Sequence, residues 1–215
     1  MSDVWSERAR LYVESDAHRE GADLDWIVEW AEGARTALDV ATGGGHVARR
    51  LREAGLEVVS CDPAPGMNPD VICSAEELPF ADASFDLVVC RIAAHHFVDP
   101  AAAVREMARV SRDRVLVVDT TFMGDDVERA EKLRDPSHVR NYTEAEWRDF
   151  CNDAGLEIDE VRLTSGDADL AAWLQRTSCE RETAEQAVAL LGDRGADGRL
   201  RLDRIAIRAH RRRAT

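Results

Sequence analysis

The stretch that most constrains this chain is LDVATGGGHVARRL, from Leu38 to Leu51. A short apolar run carrying an acid, Asp39, leads into three consecutive glycines, Gly43, Gly44 and Gly45, and then into a segment with helical apolar spacing. Strand, glycine turn and helix in that order form the first half of a parallel crossover unit. Glycines at such a turn let the backbone approach a ligand closely, with no Cβ in the way.

The same alternation continues downstream. TALDV (36–40) reads as a strand, HVARRLREA (46–54) as a helix stopped by Gly55, and LEVVSC (56–61) as a strand, with DVICS (70–74) as a shorter one. FDLVVC (85–90) is a β-branched strand, PAAAVREMARV (100–110) a helix with proline in its first turn, and RVLVVDT (114–120) another strand. Ahead of this lie amphipathic helices over 4–15 and 22–31, the second stopped by Gly33. Beyond Thr121 the pattern predicts helices over 125–133 and 143–154, the latter with a Thr143/Glu146 capping box and Gly155 as its stop. A strand at 156–163, helices at 167–176 and 180–191, and a final strand at 201–210 complete the reading.

At 215 residues and 45% apolar content, one domain with its own core is expected over 1–215, with no linker to a second. The net charge of −14 disfavours nucleic acid and anionic membrane as partners, because the summed field repels polyanions. The basic tail RAHRRR (208–213) is read as a solvated end after the last strand. Five cysteines, Cys61, Cys73, Cys90, Cys151 and Cys179, include no CxxC pair, and three lie in or beside apolar runs, where reduced thiols act as small hydrophobes. No metal site is expected. With no signal peptide and no membrane-spanning run, a cytoplasmic protein is expected.

Three ligands could use the glycine turn. The phosphate-loop pattern fails, since there is no Gly-Lys-Ser/Thr and no lysine nearby. A dinucleotide fits Gly43, Gly45 and Ala48 as G-x-G-x-x-A, with Asp62 at the distance of a ribose-binding acid. Asp39 argues against it: at the mouth of the same turn its carboxylate would repel a pyrophosphate. S-adenosylmethionine (SAM) carries an ammonium and a sulfonium instead, which an acid favours. An NAD-dependent oxidoreductase is the weaker rival.

From about Tyr12 to Leu163 the chain resembles the class I SAM-dependent methyltransferases, and within them the group that includes the ubiquinone/menaquinone-biosynthesis enzymes. Asp39-Val40-Ala41-Thr42-Gly43-Gly44-Gly45 is similar to the acid-x-Gly-x-Gly-x-Gly loop, with Ala41 in place of the first glycine. Ala75-Glu76-Glu77-Leu78-Pro79-Phe80 is similar to the family's A-E-x-L-P-F segment, and Arg91-Ile92-Ala93-Ala94-His95-His96-Phe97 to the active-site loop after the fourth strand. Leu133 to Arg140 resembles a lid segment found in one branch. The resemblance implies an α/β Rossmann-like fold: a seven-stranded, mostly parallel sheet with helices on both faces and the last strand antiparallel. It further implies a helical lid over 1–33 and a second lid segment over 121–145.

The resemblance implies SAM as cofactor and S-adenosylhomocysteine (SAH) as product, with methyl transfer to a small-molecule acceptor, at carbon or oxygen rather than nitrogen. The absence of an N-P-P-Y-type segment after the fourth strand argues against RNA or DNA as acceptor. Cofactor contacts are expected from Tyr12, His18, Asp39, Ala41, Thr42, Gly43, Gly45, Asp62, Pro63, Met67, Ala75, Glu76 and Arg91. His95 and His96 are the candidate catalytic and acceptor-contacting residues, because a neutral imidazole can take a proton from the acceptor. Arg134, His138 and Arg140 are expected to meet an anionic acceptor from the lid. The tryptophans at 5, 26, 30, 147 and 173 are read as packing helices on the sheet.

Two departures from the family pattern stand out. Between Asp62 and Val71 only PAPGMNPD remains, too short and too rich in proline for the usual crossover helix. That helix is read as missing. Its loss implies either a more open adenine side or a sheet edge covered by a second subunit in a homodimer. It also keeps open a SAM- or SAH-binding protein without methyl transfer. SRDRV (111–115), where the family has Pro-Gly-Gly, is expected to alter only a turn.

Overall fold

The computed structural model describes residues 4–15 and 19–212. Seven strands form one sheet: β1 (Thr36–Val40), β2 (Glu57–Asp62), β3 (Val71–Ile72), β4 (Phe85–Arg91), β5 (Ser111–Thr120), β6 (Leu156–Asp169) and β7 (Arg199–Arg211). Their order is β3-β2-β1-β4-β5-β7-β6. The first five are parallel, and β7 alone is reversed, lying antiparallel between β5 and β6. The switch in strand order falls between β1 and β4, so the ligand crevice is expected above their C-terminal ends.

Alternation within the strands divides the core in two. Leu38, Val40, Val88 and Cys90 face α4 (Pro100–Val110) and α6 (Glu144–Asp153), meeting Val104, Met107, Trp147 and Cys151. Ala37, Leu87, Val89 and Leu116 face α2 (Ala22–Trp30) and α3 (His46–Glu53), meeting Ile27, Trp30, Val47 and Leu51. Both faces are thus covered, as a parallel sheet requires. A third, smaller cluster joins α5 (Asp125–Arg134), α7 (Leu170–Gln175) and α8 (Arg181–Leu191) to the start of β7 through Val127, Trp173, Leu191 and Leu200. The Thr143/Glu146 capping box is present on α6, with both reciprocal hydrogen bonds.

Three boundaries differ from the sequence reading. Residues 167–169 belong to β6, because the β6–β7 ladder runs on to the pair Asp169–Arg199, and α7 starts only where Asp169 accepts from the Ala172 amide at 2.6 Å. The last strand begins at Arg199 for the same reason. β5 begins at Ser111, which pairs with Phe85 across a register irregularity, so the SRDRV segment is strand rather than turn.

The crossover from β2 to β3 is a single 3₁₀ turn, Pro65–Met67. The N-terminal helix α1 (Val4–Val13) sits against that turn: the Gly66 amide donates to Ser6 Oγ at 2.7 Å, and a Cβ on Gly66 would lie 2.5 Å from Ser6 Cβ. The missing helix is therefore replaced by α1. The edge strand β3 is two residues long, and so short an edge offers little to pair with. Among the described residues no helix is long and apolar enough to cross a membrane.

Candidate active site

A cleft of about 280 Å³ opens above the ends of β1, β2 and β4. Its floor is the glycine loop. Ala41 takes a left-handed φ of 54°, where the family pattern has glycine, and Gly45 caps α3 in the left-handed region at φ 72°. A Cβ on Gly44 would lie 2.8 Å from His46 Nε2 and 3.0 Å from the Tyr12 carbonyl oxygen, so glycine there lets α1 reach the loop. Asp39 is buried beneath, with Oδ2 accepting from Thr42 Oγ1 at 2.5 Å and from the Ala48 amide at 3.0 Å. Burial pushes its carboxyl up to about 6 against these two hydrogen bonds. Asp39 thus both fastens the loop to α3 and lines the cleft.

Asp62 stands at the tip of β2 and accepts from the Gly43 amide at 3.0 Å and the Ala64 amide at 2.9 Å. It lines the cleft with Pro63, Met67, Ala75 and Glu76. Glu76 Oε1 accepts from the Val98 amide at 3.0 Å, tying the A-E-x-L-P-F segment to the loop after β4. Tyr12, Ala41, Thr42, Gly43 and Arg91 also line the cleft, whereas Gly45 acts through the helix cap and does not. The Arg91 Nε donates to buried Asp23 at 2.6 Å. His18 lies outside the described residues.

At the end of β4 the chain enters a strained turn. Ile92 has a φ of 51°, a left-handed conformation that is an outlier for a β-branched residue. Its amide donates to the Val118 carbonyl at 2.7 Å, so β5 holds the strain in place. His95 and His96 follow, with ring centroids 4.1 Å apart. His95 Nδ1 lies 2.6 Å from Asp119 Oδ1 and its amide donates to Asp119 Oδ2 at 2.9 Å. Burial opposes the charged ring, but the charge and hydrogen bond of Asp119 outweigh it and hold the His95 pKa above the usual histidine value. His96 Nδ1 faces the Ser137 carbonyl oxygen at 3.1 Å. A carbonyl can only accept, so Nδ1 carries the proton and Nε2 presents its lone pair. Burial, then the neighbouring His95, push His96 well below the usual range.

His96 and Ile92, with Tyr12, also line a second, smaller cavity of about 50 Å³. His95 belongs to that cavity and not to the cleft. The three cationic lid candidates separate here. Arg134 lines the small cavity, donates to Glu131 at 3.0 Å and lies 4.3 Å over the Trp173 ring. His138 is buried behind it, bonded to Glu128 at 3.0 Å, and lines neither cavity. Arg140 pairs with Glu146 at 2.8 Å on the outside and lines neither. The segment 135–140 is clamped to the active-site loop, with the Val139 and Arg140 amides donating to the His95 carbonyl.

Two tryptophans do more than pack helices. Trp5 lines the cleft and meets His96 edge-on at 4.5 Å, because α1 replaces the crossover helix and brings its own side chains. Trp173 lines the small cavity. Sequence reasoning also missed Asp119, Arg176 and Arg204. Asp119 had a signal, an acid ending a buried strand in RVLVVDT; the two arginines had none. Among the described residues no group of three or more His, Cys, Asp or Glu is set to hold a metal ion.

A crevice at the switch in strand order, floored by a glycine loop and flanked by acids at two strand ends, defines a nucleoside-cofactor enzyme of the Rossmann-like class. A family model described as methyltransferase domain matches residues 38–118. The uncharacterized methyltransferase YcgJ of Bacillus subtilis (strain 168) is 30% identical across 91% of this chain and 87% of its own. The crystal structure of YcgJ superposes with a TM-score of 0.82 at 27% identity, covering 90% of this chain and 99% of that one. A demethylmenaquinone methyltransferase from Beutenbergia cavernae is 39% identical over 52% of this chain and 53% of its own. The chain belongs to the methyltransferase domain family and is a SAM-dependent methyltransferase by that membership.

Proposed function

We propose that the enzyme methylates a carbon or oxygen atom of a small-molecule acceptor bound where the cleft meets the small cavity. The observation that carries this reading is the buried His95–Asp119 pair beside His96. A hydroxyl or an acidic carbon must lose a proton as the methyl arrives, and an imidazole backed by a carboxylate can take it. The net charge of −14 weighs against a nucleic-acid acceptor.

The cleft suits SAM chemically. Asp39 is a buried carboxylate whose charged form burial disfavours, and a nearby cation relieves that. It would face the methionine end, Asp62 the ribose hydroxyls, and Met67 and Ala75 the adenine. SAM, when bound, supplies the methyl on a sulfonium that is already a good leaving group. The protein's own work is alignment by the glycine loop, exclusion of water by α1 and the 135–140 segment, and proton removal at the β4 end.

A screen of hydroxylated and C–H-acidic small molecules, read as SAH release with methyl-labelled SAM, tests this. Label found only in amine acceptors, or only in RNA, rejects it. A homodimer that covers this end of the sheet would have to do so over α1, since β3 itself is only two residues long. A monomer mass by light scattering across a wide concentration range rejects that arrangement.

A further inference from the structure

The loop 135–140 gives no side chain to the cleft, yet its backbone holds both active-site histidines. The Val139 and Arg140 amides donate to the His95 carbonyl at 2.9 and 3.1 Å, and the Ser137 carbonyl accepts from His96 Nδ1 at 3.1 Å. That last bond decides where His96 keeps its proton. With Nδ1 committed to a carbonyl, Nε2 stays a lone pair on a ring that lines both the cleft and the small cavity. At that atom the ring takes a proton or a hydrogen bond and offers none. Its state is therefore only as fixed as residue 137 is.

Two anchors fix residue 137. On one side Asp135 Oδ1 accepts from the Ser137 amide at 3.1 Å and from its hydroxyl at 2.5 Å. On the other, α5 reaches across to His138. Glu128 Oε2 accepts from His138 Nε2 at 3.0 Å and from the Asn141 amide at 3.1 Å, while Oε1 accepts from Asn141 Nδ2 at 2.8 Å. One turn further along the helix Lys132, the only lysine of the chain, donates Nζ to the His138 carbonyl at 2.5 Å. Burial works against the Glu128 charge, but the hydrogen bonds from His138 and Asn141 outweigh it and hold this carboxyl below the usual range.

A carboxylate can only accept, so His138 carries its proton on Nε2. Its Nδ1 is then a buried lone pair, and it has no hydrogen-bond partner. His138 is 1% exposed and packs against His95 and His96, with ring centroids 5.6 and 6.3 Å away. Packing alone would be served better by an apolar ring, which leaves no orphan nitrogen and needs no carboxylate behind it. What an apolar ring cannot do is bond to Glu128, and through it tie the loop to α5.

We propose that Glu128 and His138 are positioning residues of the methyl-transfer site: they fasten the 137–140 backbone to α5 and so hold His96 in one tautomer, with Nδ1 protonated and Nε2 open to the acceptor. The role toward the acceptor rests on the reading above. The control of the tautomer does not, because it is built wholly from this chain's own contacts.

The test begins with the parent protein, isotope-labelled at its histidine nitrogens. Proton–nitrogen correlation spectra are recorded at neutral pH, with and without SAH; burial, then the neighbouring His95, keep His96 uncharged there. His96, assigned by the signals lost in His96→Gln, is expected as a single Nδ1–H tautomer. A His96 ring protonated on Nε2 overturns the proposal. His138→Phe keeps a buried ring but cannot donate to Glu128, and is expected to mix the His96 tautomers. Its kcat should fall at least about tenfold, the scale of a small misplacement, with SAH affinity within about twofold because residue 138 lines neither cavity. His138→Gln offers Glu128 an amide N–H again, and is expected to restore the single tautomer and most of kcat. A lower melting temperature in His138→Phe with the parent's tautomer and kcat marks a purely structural contact and overturns the proposal. Failure of His138→Gln to restore either readout does the same. If His138→Phe does not fold, Glu128→Gln, which has one acceptor oxygen for three donors, is read in the same way. If neither folds, the pair is a folding strut and the proposal is overturned. Absence of SAH binding, or of any methylated acceptor, overturns the methyltransferase reading and leaves the tautomer result standing.

Discussion

The cofactor cleft and the small cavity beside it share three residues, yet they are built in opposite ways. The floor of the cleft is made of backbone. The Gly43 amide, the left-handed Ala41 and the cap at Gly45 lie within five consecutive residues, and Asp62 ends the very next strand. The small cavity is made of side chains from far apart: His95 after β4, Arg134 from α5, Arg176 after α7 and Arg204 in β7. A backbone site must repeat wherever the same loop is used. A side-chain site can be rebuilt residue by residue without touching the loop. On the proposed reading, one region is fitted to a constant cofactor and the other to a particular acceptor.

The sharpest way to separate the two is at the base. His95→Gln is expected to lower methyl transfer by roughly 10²- to 10⁴-fold, the usual worth of a general base. SAH affinity, measured by calorimetry, should stay within about twofold, since His95 does not line the cleft. The base works only when neutral, so the rate rises with pH as His95 loses its proton, along a limb above the usual histidine value. Asp119→Asn removes the carboxylate that holds that pKa up, and moves the limb to lower pH. A profile that does not move assigns proton removal elsewhere.

This division also explains what could be read from the sequence. The strand–glycine–helix unit, the strand–helix alternation and the residues Asp39 and Asp62 are legible because loop geometry and strand period are local properties, whereas Met67, Glu76 and the seven-stranded sheet follow from the family resemblance. The replacement of the crossover helix by α1 is not legible, since nothing in PAPGMNPD says what covers it, and the sequence therefore carries no sign that Trp5 reaches the cleft. Arg134, His138 and Arg140 looked equivalent in LRDPSHVR. Only the fold separates them: Glu128 claims His138, Glu146 claims Arg140, and Arg134 alone reaches the cavity. Arg176 and Arg204 sit in segments that carry no motif at all.

Asp39 and Asp62 test the cleft side of the comparison. Asp39 has a folded pKa of about 6 against 3.8 when exposed, so the native state binds the proton more tightly. Stability is then lost as pH rises from about 4 to 6 and stays lost at neutral pH, by up to on the order of 3 kcal/mol. Asp39→Asn removes that penalty while keeping an oxygen for Thr42 and Ala48. It should melt higher than the parent at pH 7, with the gap closing toward pH 4, yet bind SAM more weakly. Equal melting at both pH values contradicts the buried charge. Asp62→Ala loses an acceptor for ribose hydroxyls and is expected to weaken SAH by about tenfold to a hundredfold, the worth of charge-assisted hydrogen bonds.

The smallest effects come from two left-handed residues, one in the cleft and one at the turn that both regions share. Ala41 and Ile92 hold φ values of 54° and 51°. Each costs roughly 1–2 kcal/mol relative to a relaxed backbone, and glycine removes that cost while adding about 0.5–1 kcal/mol of chain entropy. Ala41→Gly should therefore raise the melting temperature by at most a few degrees and leave turnover alone, because the loop backbone is already where it needs to be. Ile92→Gly relieves similar strain, but it frees the turn that sets His95 against Asp119 and His96 against His95. Its melting temperature should hold or rise slightly while turnover falls. If both glycine variants keep full turnover, the strain at Ile92 is incidental to the acceptor side. If Ile92→Gly alone loses activity without losing stability, the strain is what keeps the base aligned with the acceptor.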